Sequence, residues 1–200
     1  MNIGFEAKRV YHNTTGLGNY SRDLVRILHR YYPQNRYFLY NPKPSKNMLF
    51  ESLGAQVIEK RPLGGFYSFF PNLWRRFGII NDLKRDQIEL FHGLSGELPV
   101  GLDNVGIKSV VTIHDVLFLR YPEFYSFIDR NIYYRKFKHA AEAADTVIAI
   151  SEQTKRDIVQ YLGIPENKIT VVYQGCHQAF KETYSVAQKE ALIKKYQLPK

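Results

Sequence analysis

The chain has 200 residues, 44% hydrophobic and 24% charged, which suits one sizeable folded domain and excludes a disordered or fibrous chain. Its 28 basic residues against 19 acidic ones leave a net charge of +9, so the partners to expect are anionic: nucleic acid, anionic lipid or phosphorylated small molecules. The lone Cys176 excludes an internal disulfide and a cysteine-cluster metal site; no apolar run approaches the roughly 20 residues of a spanning helix, residues 1–6 lack the pattern of a secretory signal, and the expected compartment is the cytoplasm.

Residues 2–7 (NIGFEA) read as a first strand and residues 8–15 as a polar loop. Gly16-Leu17-Gly18-Asn19 then leads into a helix on which Tyr20, Leu24, Ile27, Leu28 and Tyr31 recur at helical spacing, until Pro33 stops it. Residues 37–40 form a second strand, followed by the turn-rich Asn41-Pro42-Lys43-Pro44-Ser45. A weak helix over 46–53 precedes a third strand over 56–59. Residues 61–71 form a loop with Gly64-Gly65 and the aromatics Phe66, Tyr67, Phe69 and Phe70. A helix over 72–85 rests on Leu73, Phe77, Ile80 and Leu83, and residues 88–91 make a fourth strand ending at His92-Gly93.

After a loop over 94–106 comes Ser109-Val110-Val111-Thr112-Ile113, a β-branched, uncharged run that suits a parallel strand buried on both faces. It delivers the pair His114-Asp115 to its carboxyl end. A long helix over 126–144 keeps Tyr134, Phe137, Ala141 and Ala144 in step, and residues 146–150 form a sixth strand. Ser151 is a plausible N-cap for a helix that reaches Leu162 and ends at Gly163. Pro165-Glu166-Asn167 turns the chain into a seventh strand over 169–173, ending in Gln174-Gly175, and a charged helical tail occupies 185–195. Strands and helices alternate throughout, with no internal repeat. That order predicts an α/β fold: a doubly wound, Rossmann-like parallel sheet covered by helices on both faces.

In such sheets ligands bind in the crevice outside the carboxyl ends of the strands. Four polar features fall on that edge: Gly16 with Gly18, His92, His114 with Asp115, and Ser151. Glycines between strand one and helix one let a phosphate approach the helix N-terminus, although a plain tight turn needs them too. A dinucleotide fingerprint is disfavoured, because Ser21 stands where a third glycine is wanted and Tyr40-Asn41 where an acidic ribose partner is expected. Histidine titrates nearest neutrality and can accept, donate or position a proton; the bland alternative is a His-Asp pair capping the next turn. His12, His29, His139 and His177 show no such placement and read as surface residues. No spacing suggests a metal site. Residues 66–85 join aromatics to Trp74, Arg75, Arg76, Lys84 and Arg85, which suits an anionic membrane surface; a covering helix with a solvated basic face is slightly favoured.

Taken in order, Gly16-Leu17-Gly18-Asn19-Tyr20, Val111-Thr112-Ile113-His114-Asp115, Ile150-Ser151-Glu152 and Val171-Val172-Tyr173-Gln174-Gly175 resemble family 4 glycosyltransferases, in particular the amino-terminal domain of mannosyltransferase-like members. The resemblance runs from Ile3 to Gly175. It implies the amino-terminal half of a GT-B enzyme: an acceptor-binding domain over 1–180, then a linker over 181–200 toward a carboxyl-terminal domain that binds the nucleotide-sugar. It further implies retention of anomeric configuration with no metal or cofactor, the nucleotide-sugar being a substrate and the acceptor a glycan or lipid-linked molecule. Gly16 and Gly18 would face the donor diphosphate, while Asn19, Tyr20, His92 and Ser151 would line the acceptor cleft. His114 would sit beside the transferred sugar, with Asp115 behind it, positioning the reactants where the donor phosphate takes the proton. The family's glutamate pair, arginine and lysine for the donor belong to the second domain, so this chain is expected to be inactive alone. Peripheral contact with the inner membrane surface goes with that expectation. The alternative is a basic α/β module that binds nucleic acid or a phosphorylated ligand without catalysis, nucleic acid being the less favoured partner.

Overall fold

A computed structural model of the chain describes residues 1–45, 49–50, 53–63, 65–176 and 180–199. Seven strands pair in parallel: β1 (Asn2–Glu6), β2 (Arg36–Tyr40), β3 (Val57–Lys60), β4 (Leu90–Gly93), β5 (Lys108–Ile113), β6 (Thr146–Ala149) and β7 (Ile169–Val171). Their spatial order is β3-β2-β1-β4-β5-β6-β7. The chain thus works outward from β1 to β3, returns to place β4 on the other side of β1, and works outward again to β7. The doubly wound expectation holds, and β1 and β4 flank the topological switch point.

The helices in chain order are α1 (Lys8–His12), α2 (Gly16–Tyr31), α3 (Gly65–Phe69), α4 (Pro71–Leu73), α5 (Ile79–Arg85), α6 (Leu117–Arg120), α7 (Phe127–Ala143), α8 (Glu152–Asp157) and α9 (Val186–Tyr196). Strand side chains alternate between faces, and β2 divides its residues accordingly. Tyr37 and Leu39 join Ile3, Phe5, Val10, Val25 and Leu94 in one core. Phe38 and Tyr40 join Trp74, Leu83, Phe91, Val111, Ile113, Ala140 and Ile158 in the other. So α1 and α2 cover one face, while α5, α7 and the end of the α8 segment cover the opposite one. The expected serine cap is present, Ser151 Oγ accepting from Thr154 N at 3.1 Å, and Ser126, read as the first residue of its helix, is a cap too, its Oγ accepting from Asp129 N at 3.1 Å. Gly163 ends its helix in the left-handed region at φ 67°, where glycine carries no penalty.

Several expectations are corrected. Residues 8–15 are not all loop, because α1 buries Val10 in the core and the buried Arg22 of α2 closes over it, donating to the carbonyls of Val10 and Asn13. The aromatic loop contains α3, and the helix expected over 72–85 is interrupted by a π stretch, Trp74–Gly78, that rotates Trp74 inward. There the indole Nε1 donates to Asp82 Oδ2 at 2.6 Å, and Trp74 is buried. Arg75 is likewise not on a solvated face. Two of the supposed surface histidines have one shielded ring nitrogen each, Nδ1 of His29 and Nε2 of His139. His177 and most of the weak helix expected over 46–53 lie outside the described residues. The helix α9 has no buried side chain, and Val186, Leu192 and Tyr196 stand exposed on it. Among the described residues no helix is long and apolar enough to cross a membrane.

Candidate functional site

His114 is the first residue beyond β5, and the strand's buried Val111, Thr112 and Ile113 anchor it at the carboxyl edge. Its Nε2 lies 3.0 Å from the carbonyl of Leu94, just beyond β4, and its Nδ1 lies 2.8 Å from Nε2 of Gln174, just beyond β7. A carbonyl can only accept, so Nε2 carries the proton and Nδ1 accepts from the glutamine amide. The ring is therefore a neutral Nε2–H tautomer with both nitrogens engaged. Burial holds its pKa below the ordinary histidine value, against the pull of the Leu94 hydrogen bond and the Asp115 charge.

Tyr20, on the second turn of α2, stands edge-on to this ring with centroids 4.6 Å apart. Its hydroxyl lies 3.1 Å from Thr112 Oγ1, and His92 Nε2 lies 2.8 Å from the same oxygen. Thr112 thus gathers α2, β4 and β5 into one cluster behind His114. His92 is buried, and desolvation, with His114 nearby, pushes its pKa down to about 4, so it is neutral at pH 7. It supports the cleft from within.

The two glycines differ. At Gly18 a Cβ would collide with the backbone carbonyl of Asn13, so glycine is required there, whereas a Cβ on Gly16 would meet open space. Asn13 Oδ1 accepts from the N–H groups of Thr15 and Gly18 at 2.9 and 3.0 Å. Among the described residues, the N–H groups without a partner at the start of α2 are those of Gly16 and Leu17. Asn19 is exposed at the same helix end, where its Oδ1 accepts from Arg22. A 16-residue helix directs its partial positive charge to this corner of the cleft.

Asp115, expected behind the ring, makes no hydrogen bond to it among the described residues. It is exposed, and its Oδ1 accepts from the N–H of Leu117 at 3.2 Å, capping α6; it reaches His114 only through its charge. Ser151 is engaged as the cap of α8, and Thr154 of that turn donates through Oγ1 to the carbonyl of His114 at 3.0 Å. Ser151, half-buried, therefore helps to fix the backbone of the site.

A buried ionic group, absent from the sequence expectations, lies at the ends of β1 and β4. Arg75 Nε pairs with Glu6 Oε1 at 2.8 Å and its NH2 group with Glu97 Oε2 at 2.7 Å. Burial works against the Arg75 cation, but Glu6 and Glu97 prevail and raise its pKa; Arg75, with Lys136 and Lys8, holds Glu97 below its ordinary value against burial. Lys8 is lowered by burial and by Arg75. Glu6 Oε2 is buried with no hydrogen-bond partner among the described residues. The sequence signal for this group was faint: Glu6 ends a strand, and Arg75 follows the only tryptophan. Thr112 was easier to find, being the polar residue nearest the end of an aliphatic strand. Among the described residues no group of three or more potential metal ligands comes together. A surface hollow of about 390 Å³ on α7, lined by Phe127, Ile128, Asn131, Ile132 and Arg135, shares no residue with this site.

The family model "Glycosyltransferase Family 4" matches residues 14–179. The chain belongs to glycosyltransferase family 4. This family 4 domain is 29% identical over 113 residues to the serotype-specific mannosyltransferase WbdA of Escherichia coli, a match that covers 54% of the chain and 14% of WbdA. Its fold is that of WaaG, a glycosyltransferase involved in lipopolysaccharide biosynthesis, with a TM-score of 0.62 at 13% identity, over 100% of this chain and 52% of WaaG. HepE of Anabaena, solved in complex with UDP, gives 0.60 at 16% identity, over 98% of this chain and 49% of HepE. The domain thus spans about half of these structures and a smaller share of WbdA.

Proposed function

We propose that this family 4 domain binds the acceptor of a retaining, nucleotide-sugar-dependent glycosyltransferase whose donor is held mainly by a second domain. The observation that carries this reading is the convergence of His114, Tyr20 and the open N-terminus of α2 at the switch point of the sheet. A helix N-terminus with two unpartnered N–H groups suits the donor diphosphate. His114, neutral and hydrogen-bonded at both nitrogens, suits a positioning role beside the transferred sugar, with proton removal left to the leaving phosphate. UDP in HepE and the mannosyltransferase name of WbdA are in keeping with this, and mannose is the sugar to try first. Nothing in the site or the comparisons favours the non-catalytic, nucleic-acid-binding alternative.

The test uses the full-length protein with nucleotide-sugars and glycan or lipid-linked acceptors. His114→Ala should lower transfer about 100-fold, the scale of a lost proton-handling or positioning group. Nucleotide affinity should stay within about twofold, because that site belongs mainly to the other domain. Transfer should survive a chelator unchanged, since no metal and no cofactor take part. A variant that melts early but keeps its turnover would remove His114 from the active site.

Peripheral contact with an anionic membrane on the cytoplasmic side belongs to the same proposal. Leu63, Phe66 and Phe69 are 76%, 61% and 82% exposed, and Arg76 stands exposed beside Phe77. Bulky apolar side chains next to exposed cations suit a lipid interface. Phe66→Ser with Phe69→Ser should release the protein from anionic vesicles; binding that persists excludes this face.

A further inference from the structure

Gln174 belongs to neither core and lies beyond the last strand, yet its side chain reaches back 60 positions to His114. An exposed side chain has water as an alternative partner, so a directed 2.8 Å bond at this place is a choice of geometry. Glutamine also suits the position chemically. Its amide donates to Nδ1 without adding charge, while Leu94 holds the only ring proton on Nε2. A carboxylate in its place would accept and draw a second proton onto the ring.

We propose that Gln174 is a positioning residue that presets Nδ1 of His114 as a hydrogen-bond acceptor. A sugar hydroxyl can then take the place of the amide at Nδ1 as a donor, with no proton leaving the hydroxyl. A ring protonated at Nδ1 would reject that hydroxyl or turn it around. The other groups bearing on the ring are Asp115, which favours its charged form, Arg9, which opposes it, and the neutral Tyr20 and His92. None of these donates to Nδ1. Because Gln174 stands in the stretch leaving β7, the residues that follow the sheet also help to set the state of the ring. The role rests on the proposed place of His114 beside the sugar, but the state of the ring can be read with no sugar present.

The experiment labels the histidines of the chain with ¹⁵N and follows both ring nitrogens of His114 by NMR across pH, with His114→Gln to assign them. The wild-type ring should show a protonated Nε2 and an unprotonated Nδ1. Gln174→Glu should keep the melting temperature and raise the titration midpoint of His114 by about one pH unit or more. Tyr173→Glu brings the same charge on an exposed neighbour without the hydrogen bond and should raise it by less than half as much. A wild-type ring protonated at Nδ1, or equal midpoints in the two glutamate variants, overturns the proposal. Transfer by the full-length His114→Ala protein is a separate measurement, so the proposed function can fail while the tautomer result stands.

Discussion

At the residue scale, the two glycines of α2 looked equivalent in the sequence and are not. Gly18→Ala forces a Cβ into the carbonyl of Asn13 and should cost about 2 kcal/mol or more, as overpacking against backbone does. Gly16→Ala meets nothing and should change stability by less than about 0.5 kcal/mol, so urea melts separate the pair. If Gly16 faces the donor, its variant should instead show up in nucleotide-sugar affinity. His92 gives a pH prediction with a definite sign. Its folded pKa of about 4 lies below the ordinary 6.5, so the unfolded chain binds the extra proton between those values and stability falls as pH drops through that window. The full effect is on the order of 3 kcal/mol at the low end, and His114 adds to it in the same direction. His92→Gln should flatten that part of the stability profile in denaturant melts at pH 7, 6 and 5.

At the element scale, the helical run from α4 to α5 shows where sequence periodicity misleads. A run of aromatic and basic residues reads as amphipathic, but the π stretch turns Trp74 and Arg75 inward and leaves Arg76 and Phe77 outside. Adjacent arginines should therefore behave oppositely. Arg75→Ser leaves the buried Glu6 without its cation, while the half-buried Glu97 keeps Lys136, and should cost about 3 kcal/mol. Arg76→Ser should cost less than about 0.5 kcal/mol, and its effect, if any, should fall on vesicle binding. The Ser151 cap, by contrast, was legible, because the serine precedes a helical pattern and satisfies an otherwise unpaired N–H, whereas Ser126 was read as part of the helix it caps. The placement of His114 at the cleft edge was legible from the strand that carries it. Its partners were not, since Leu94 acts through a main-chain oxygen and Gln174 comes from 60 positions away. The local bond of Asp115 was not read from the sequence: a carboxylate two residues before a helical N–H is captured there, and Asp115 acts on His114 through its charge.

At the scale of the whole molecule, alternating strands and helices were enough to predict the parallel sheet, because β2, β5 and β6 carry β-branched or aromatic runs that suit burial. The spatial order of the strands needed the structure. The helix α9 lies outside both cores, so removing residues 185–200 should lower stability by no more than about 1 kcal/mol. A larger loss would mean that the tail is part of the folding unit. The position of β1 has a further consequence for synthesis. Of the seven strands it is made first, but its second neighbour, β4, pairs Leu90 with Ile3 across 87 positions. At ordinary translation speeds that gap lasts on the order of ten seconds. For that time the nascent chain holds β1 with one edge bare, carrying Ile3 and Phe5. A bare apolar strand edge is a template for pairing with other chains. Slow codons before residue 90 should therefore lower the soluble yield, and a holding chaperone present during translation should restore it.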